Sequence, residues 1–121
     1  MHNIYKSKAP NQSMQAERIF FLKEEIEKNP DEPFNYYALA LESLKQQNDL
    51  ALELFDLLLK KFPEYLPTYY QAANHFFEKG YFEKADEVFK KGIVLAEKLG
   101  KSKALTELKG SYQMFLDEIE E

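Results

Sequence analysis

Cysteine and tryptophan are both missing from this 121-residue sequence, and glycine and proline are scarce at four and five. Without a thiol there is no disulfide, no cysteine-based zinc site and no cysteine nucleophile. So few glycines and prolines leave little material for the many tight turns of an all-β fold. Long apolar runs are lacking as well. The stretch Ile19-Phe20-Phe21-Leu22 is cut by Lys23, far short of the ~20 apolar residues that span a bilayer. Nor is there an excess of positive charge. Lys plus Arg is 16 against 21 for Asp plus Glu, so 16 − 21 = −5, which argues against an electrostatic hold on nucleic acid. No apolar run of signal-peptide length follows Lys6 and Lys8. The sequence therefore reads as cytoplasmic, with no membrane and no nucleic acid among its partners.

Apolar and aromatic residues are abundant: 45% of the chain is hydrophobic, including 8 Tyr and 10 Phe. That suffices for the core of one domain and is too rich for a disordered chain. Residues 1–11 show no periodicity and read as a flexible tail. From Ser13 onward Met14, Ile19, Leu22 and Ile26 share a helical stripe, which Asn29-Pro30 ends. Asp31 suits an N-cap, and Pro33 fits the first turn of a second helix running from Phe34 to about Gln46. Asn48-Asp49 breaks it, and a third helix runs from Leu50 to Lys61. Leu66-Pro67-Thr68 opens a fourth, which reaches Lys79, with Gly80 placed for a left-handed C-cap. A fifth extends from Phe82 to Leu99 and closes at Gly100. Ser102 can cap a sixth carrying Leu105, Leu108, Tyr112, Phe115, Leu116 and Ile119. Six helices, no strand and short loops predict an all-α fold of antiparallel neighbours.

The chain repeats itself. Pro30-Asp31-Glu32-Pro33-Phe34-Asn35-Tyr36-Tyr37-Ala38-Leu39-Ala40 lies beside Pro63-Glu64-Tyr65-Leu66-Pro67-Thr68-Tyr69-Tyr70-Gln71-Ala72-Ala73 at an offset of 33. Ala51-Leu52-Glu53-Leu54-Phe55 matches Ala85-Asp86-Glu87-Val88-Phe89 at an offset of 34. A register that places Phe34 on Tyr69 needs an insertion; the 33-residue register runs without gaps through the helix start.

On these residues the chain resembles the tetratricopeptide repeat (TPR) family. Tyr69, the Ala72-Ala73 pair, Phe76, Gly80, Phe82, Ala85, Phe89 and Gly92 take that repeat's positions in the second copy. Tyr36, Leu39, Ala40, Ala51, Phe55, Leu58 and Pro63 take them in the first. The first copy departs at Ser43, where an aromatic is usual, at Asn48, where the turn glycine is usual, and at Leu58, which is larger than the usual Ala. The resemblance implies a right-handed TPR-like α-α superhelix in a single domain over 12–121. Residues 12–29 would form an N-terminal half-repeat, 30–64 and 65–99 two repeats, and 102–120 a C-terminal capping helix. Small residues at Ala40, Ala51, Ala73 and Ala85 would let paired helices approach closely.

Little in the sequence supports catalysis. His2 lies in the tail, and His75 has no Cys, second His or acid at i±4, so it reads as structural. Gly80, Gly92, Gly100 and Gly110 are too spread out for a phosphate loop. Glu24/Glu25 and Glu120/Glu121 read as solvated faces, and Lys84, Lys90 and Lys91 are balanced by Glu83, Asp86 and Glu87. The expectation is no catalytic residue, no cofactor and no metal. The aromatic excess carries more information. The helix from Phe34 to Leu44 is apolar on nearly every side, so its outer side needs cover of some kind. In the resemblance, Phe34, Tyr37, Ala38 and Leu41 line the concave surface, continued by Tyr70, Gln71, Asn74 and Phe77. That predicts a non-enzymatic module whose groove binds a peptide or helix of a protein partner. The alternatives are that the groove closes on a second copy as a homodimer, or that the first and last helices cover it. The Lys/Asn carboxylate clamp of chaperone-tail TPR adaptors is absent, since Tyr37, Leu41 and Gln71 stand in its places.

Overall fold

A computed structural model describes residues 10–47 and 49–120, with side chains from Met14 onward. Among the described residues there are six helices and no strand: α1 (Pro10–Lys28), α2 (Pro33–Lys45), α3 (Leu50–Lys61), α4 (Pro67–Glu78), α5 (Phe82–Leu99) and α6 (Ser102–Ile119). The first begins at Pro10, inside the stretch read from sequence as tail. Asn48 and residues 1–9 lie outside the described residues. The chain divides into two compact units, with the boundary inside α3 between Leu54 and Phe55.

In the first unit α1 packs along α2. Leu22 is buried, while Met14, predicted on the same stripe, is exposed together with Phe20 and Phe21. Between α1 and α2, Glu32 rather than Asp31 is the N-cap, its carboxylate accepting from the Phe34 N–H at 3.2 Å. Pro33 explains the difference: it occupies the first helical position, so the residue directly before it becomes the cap. Tyr36, Leu39, Ala40 and Ser43 form the buried stripe of α2. The Ser43 hydroxyl, standing where an aromatic was expected, donates to the Leu39 carbonyl at 2.9 Å and is satisfied within its own helix.

The second unit is an α4–α5 hairpin with α6 packed on both of its helices. Gly80 closes α4 at φ 87°, with its own N–H bonded to Phe77 O at 3.0 Å and the Tyr81 N–H to Phe76 O at 2.9 Å. These are the two bonds of a Schellman cap, which needs a left-handed residue. Thirty-three positions earlier the same conformation falls on Gln47, at φ 56°, and its N–H bonds Leu44 O at 3.0 Å. Among the described residues, the left-handed conformation of the first copy thus falls on Gln47.

One hydrogen bond recurs at the repeat interval. The Tyr36 hydroxyl donates to Pro30 O at 2.8 Å, and the Tyr69 hydroxyl donates to Pro63 O. Each tyrosine ties its helix back to the turn before it, in the 33-residue register. Ala40, Ala51, Ala73 and Ala85 are all fully buried, as expected of close-packing positions. Tightest of all is Gly92. A methyl built there would lie 2.7 Å from Tyr69 Cβ and 3.3 Å from Leu108 Cδ1, so α4, α5 and α6 converge on this residue.

Gly92→Ala should therefore lower the melting temperature. Overpacking costs about 1–3 kcal/mol and outweighs the ~1 kcal/mol of helix propensity gained. Gly110, in α6, has nothing within 4 Å of the corresponding methyl, so Gly110→Ala should gain that ~1 kcal/mol and raise it. Thermal unfolding of the two variants against wild type reads both effects. An unchanged or raised melting temperature for Gly92→Ala would contradict the close approach.

Candidate functional site

The residues expected to bind a partner fall on two repeat-equivalent helix faces, one in each unit. On α2, positions 34, 37 and 41 follow the i, i+3, i+7 spacing of a single face. Phe34 is 55% exposed, and Tyr37, Ala38 and Leu41 are half-buried. On α4, Tyr70 is 37% exposed, while Gln71, Asn74 and Phe77 are half-buried. The Asn74 amide nitrogen donates to the Tyr70 carbonyl at 2.8 Å, which leaves its amide oxygen as the acceptor it can present. Phe77 is engaged more deeply. Its ring meets Phe115 of α6 edge-on at 5.1 Å and Phe82 at 6.1 Å. Phe89 and Tyr112 extend this cluster, at 5.6 and 6.0 Å from Phe115. The sixth helix therefore covers one side of Phe77, and Tyr70, Gln71 and Asn74 are the more accessible part of the α4 face.

Sequence reasoning missed the polar ties that fix these helices. Glu42 is buried on α2, and the Arg18 guanidinium of α1 bonds both its carboxylate oxygens at 3.1 and 3.2 Å. Lys45 adds a contact at 3.4 Å. Burial works to raise the Glu42 carboxyl, but the bonds from Arg18 and Lys45 outweigh it and hold it below the usual carboxylate range. Two signals were available in the sequence. Arg18 is the one arginine among 16 basic residues, and Glu42 lies at i+3 from Leu39 on an apolar stripe. In the second unit Asp86 plays the comparable part, accepting from the Tyr112 hydroxyl of α6 at 2.7 Å and pairing with Lys90 at 3.0 Å. The Tyr112 bond, with help from Lys90, keeps the Asp86 carboxyl low.

His75 is buried on α4, its ring 5.8 Å from that of Phe55. Its Nδ1 has no hydrogen-bond partner among the described residues, and neither has the Thr68 hydroxyl one helical face-repeat earlier. Burial pushes the imidazole below its ordinary range, and Lys79 adds to this against a weaker opposing pull from Glu78. Among the described residues no carboxylate hydrogen-bonds the ring. Among the described residues no three His, Asp or Glu side chains gather to hold a metal ion. No described helix is long and apolar enough to cross a membrane.

Solved structures resemble the chain closely. A tetratricopeptide repeat domain protein from Salinibacter ruber, known from a crystal structure, matches with TM-score 0.68 and 33% identity over 71% of this chain and 97% of its own. The solution structure of a tetratricopeptide repeat domain protein from the same organism matches with TM-score 0.67 and 34% identity, covering 72% and 89%. A third structure, MamA MSR-1 C2, shares the fold at TM-score 0.54 and 20% identity over 92% of this chain and 72% of its own. No protein-family model and no curated protein matches the sequence.

The buried histidine sets a pH dependence. Its folded pKa lies below the unfolded value of 6.5. Its contribution is therefore complete above about pH 6.5 and is lost as the pH falls through the folded value. The carboxyls of Glu42, Asp86 and Glu87 are also depressed, but from starting values of 4.5, 3.8 and 4.5, so they act in more acid solution. His75→Phe should flatten the stability profile below about pH 6.5, where the histidine contribution is being lost, and leave the acid limb in place. Urea unfolding across that range measures it, and an unaltered slope in the variant would refute the assignment.

Proposed function

Because the chain belongs to the tetratricopeptide repeat family of protein-interaction modules, we propose that it is a non-catalytic binding module that holds a peptide or helix of another protein. The contacts in this reading are Phe34, Tyr37 and Leu41 on α2 and Tyr70, Gln71, Asn74 and the open side of Phe77 on α4. The observation that carries it is the exposure of large aromatics on helices whose opposite stripes are fully used in packing. Phe34 and Tyr70 remain open while Tyr36 and Tyr69, two and one positions away, are buried and hydrogen-bonded. Aromatic rings give broad contact area at small cost in side-chain entropy, and a tyrosine hydroxyl can also reach a polar group of the ligand. Gln71 and the Asn74 amide oxygen supply hydrogen-bonding capacity suited to a peptide backbone.

Peptides selected from a random library on the immobilised protein provide the test. Titrated into isotopically labelled protein, they should shift the amide signals of α2 and α4 around residues 34–41 and 70–77. Phe34→Ala and Tyr70→Ala should each weaken binding about tenfold or more, the loss expected of a central aromatic contact. Their melting temperatures should hold, because neither side chain lies in the core. Peptides whose signals map elsewhere, or affinities indifferent to both substitutions, would overturn the reading.

A further inference from the structure

A separate cleft of about 260 Å³ lies in the second unit, where the end of α3 and the turn after it meet α4 and α5. Its walls are Leu59, Pro63, Tyr69 and Val88, and its charged groups are Lys60, Lys84, Lys91 and Glu87. None of the residues assigned to partner binding lines it. We propose that this cleft binds a small phosphomonoester, an organic phosphate on a flat or short apolar stem.

Three observations carry the assignment. The first is charge. Three ammonium groups against one carboxylate give 3 − 1 = +2 around the cleft, in a chain whose net charge is −5. A phosphomonoester dianion balances +2, whereas a carboxylate would leave one positive charge over. The second is pairing. Lys91 is bound to Glu87 at 2.9 Å, but Lys60 and Lys84 form no ion pair among the described residues. Lys60 thus stands ready, and Lys84, which acts on Glu87 only through space, and Lys91 can both be drawn toward an anion. The third is the repeat. At the 34-residue offset Glu87 and Val88 correspond to Glu53 and Leu54, but Lys84 and Lys91 correspond to Leu50 and Leu57. The packing of the repeat does not call for lysine at these two places; they are particular to the second copy. The buried Tyr69 and Val88 give the cleft an apolar floor. The volume is below the ~300 Å³ at which drug-sized pockets begin, so it suits a single ring or short chain rather than a nucleotide.

Calorimetric titration with phenyl phosphate, benzoate and inorganic phosphate tests the site. Phenyl phosphate should bind more tightly than either of the other two, since only it offers both the dianion and the stem. Lys84→Gln should weaken it by about tenfold, the loss of one charge-assisted contact. Glu87→Gln should strengthen it on the order of threefold by removing the competing carboxylate. Lys98→Gln, on the same helix but outside the cleft, should leave it unchanged. Melting temperatures verify that each variant is folded, and Lys60→Gln replaces Lys84→Gln if that variant is not. The proposal fails if phenyl phosphate does not bind or is matched by inorganic phosphate. It fails equally if Lys98→Gln weakens binding as much as Lys84→Gln, or if Glu87→Gln weakens it.

Discussion

A methyl group does not fit between Gly92 and Tyr69, and much of the second unit follows from that. The glycine lets α5 lie against the Cβ of Tyr69 on α4, and Leu108 of α6 closes on the same point. Fully buried Ala72, Ala73 and Ala85 extend the tight contact along the hairpin. Helices this close can interlock their larger side chains on either side of the seam, at densities close to those of organic crystals. Phe89 and Phe115 fill one such space, joined by Phe77, Phe82 and Tyr112. Tyr69 is itself held by its hydroxyl bond to the Pro63 carbonyl, so the wall that Gly92 meets is fixed rather than yielding. Tyr36 and Pro30 repeat this bond one interval earlier.

Local features were the readable ones. Prolines, glycines and apolar spacing located the helices to within a few residues, because each acts on the backbone beside it. The repeat was legible for the same reason: Tyr36 and Tyr69 stand at matching distances from Pro30 and Pro63. What escaped were choices made between near neighbours and contacts made across long separations. Asp31 and Glu32 are both acids, and only the placement of Pro33 as the first helical residue decides for Glu32. Gln47 takes a left-handed conformation that side chains ordinarily avoid, so nothing in its type announces it. Arg18 and Glu42 are 24 positions apart, and Phe77 and Phe115 are 38. No periodicity along one helix reports which residue of another will face it. The candidate partner face was legible as a pattern of aromatics, and cover by the last helix stood among the alternatives; that this cover falls on Phe77 through Phe115 was not legible.

The division of labour on α2 and α4 follows from helical geometry. On each helix one tyrosine of a Tyr-Tyr pair points inward and donates to a proline carbonyl, and the next lies about 100° around the axis, on another face. Tyr36 and Tyr69 hold the fold; Tyr37 and Tyr70 stand on the faces assigned to a partner. The cleft beside Lys84 uses a further side of the second repeat, with a charge pattern the first repeat lacks. Binding at either place asks for no catalytic group. Among the described residues His75 is buried with an Nδ1 that has no hydrogen-bond partner and a pKa that burial depresses, which ties it to stability.

The central claim is that the aromatic faces of α2 and α4 serve a foreign protein and not a second copy of the same chain. Light scattering with in-line mass determination, over a wide range of protein concentration, tests this most directly. The expected mass is that of one chain, 14.3 kDa, at every concentration. A doubled mass that survives dilution and reverts to one chain in Tyr70→Ala or Phe34→Ala would show that these faces are closed by self-association, and would contradict the claim.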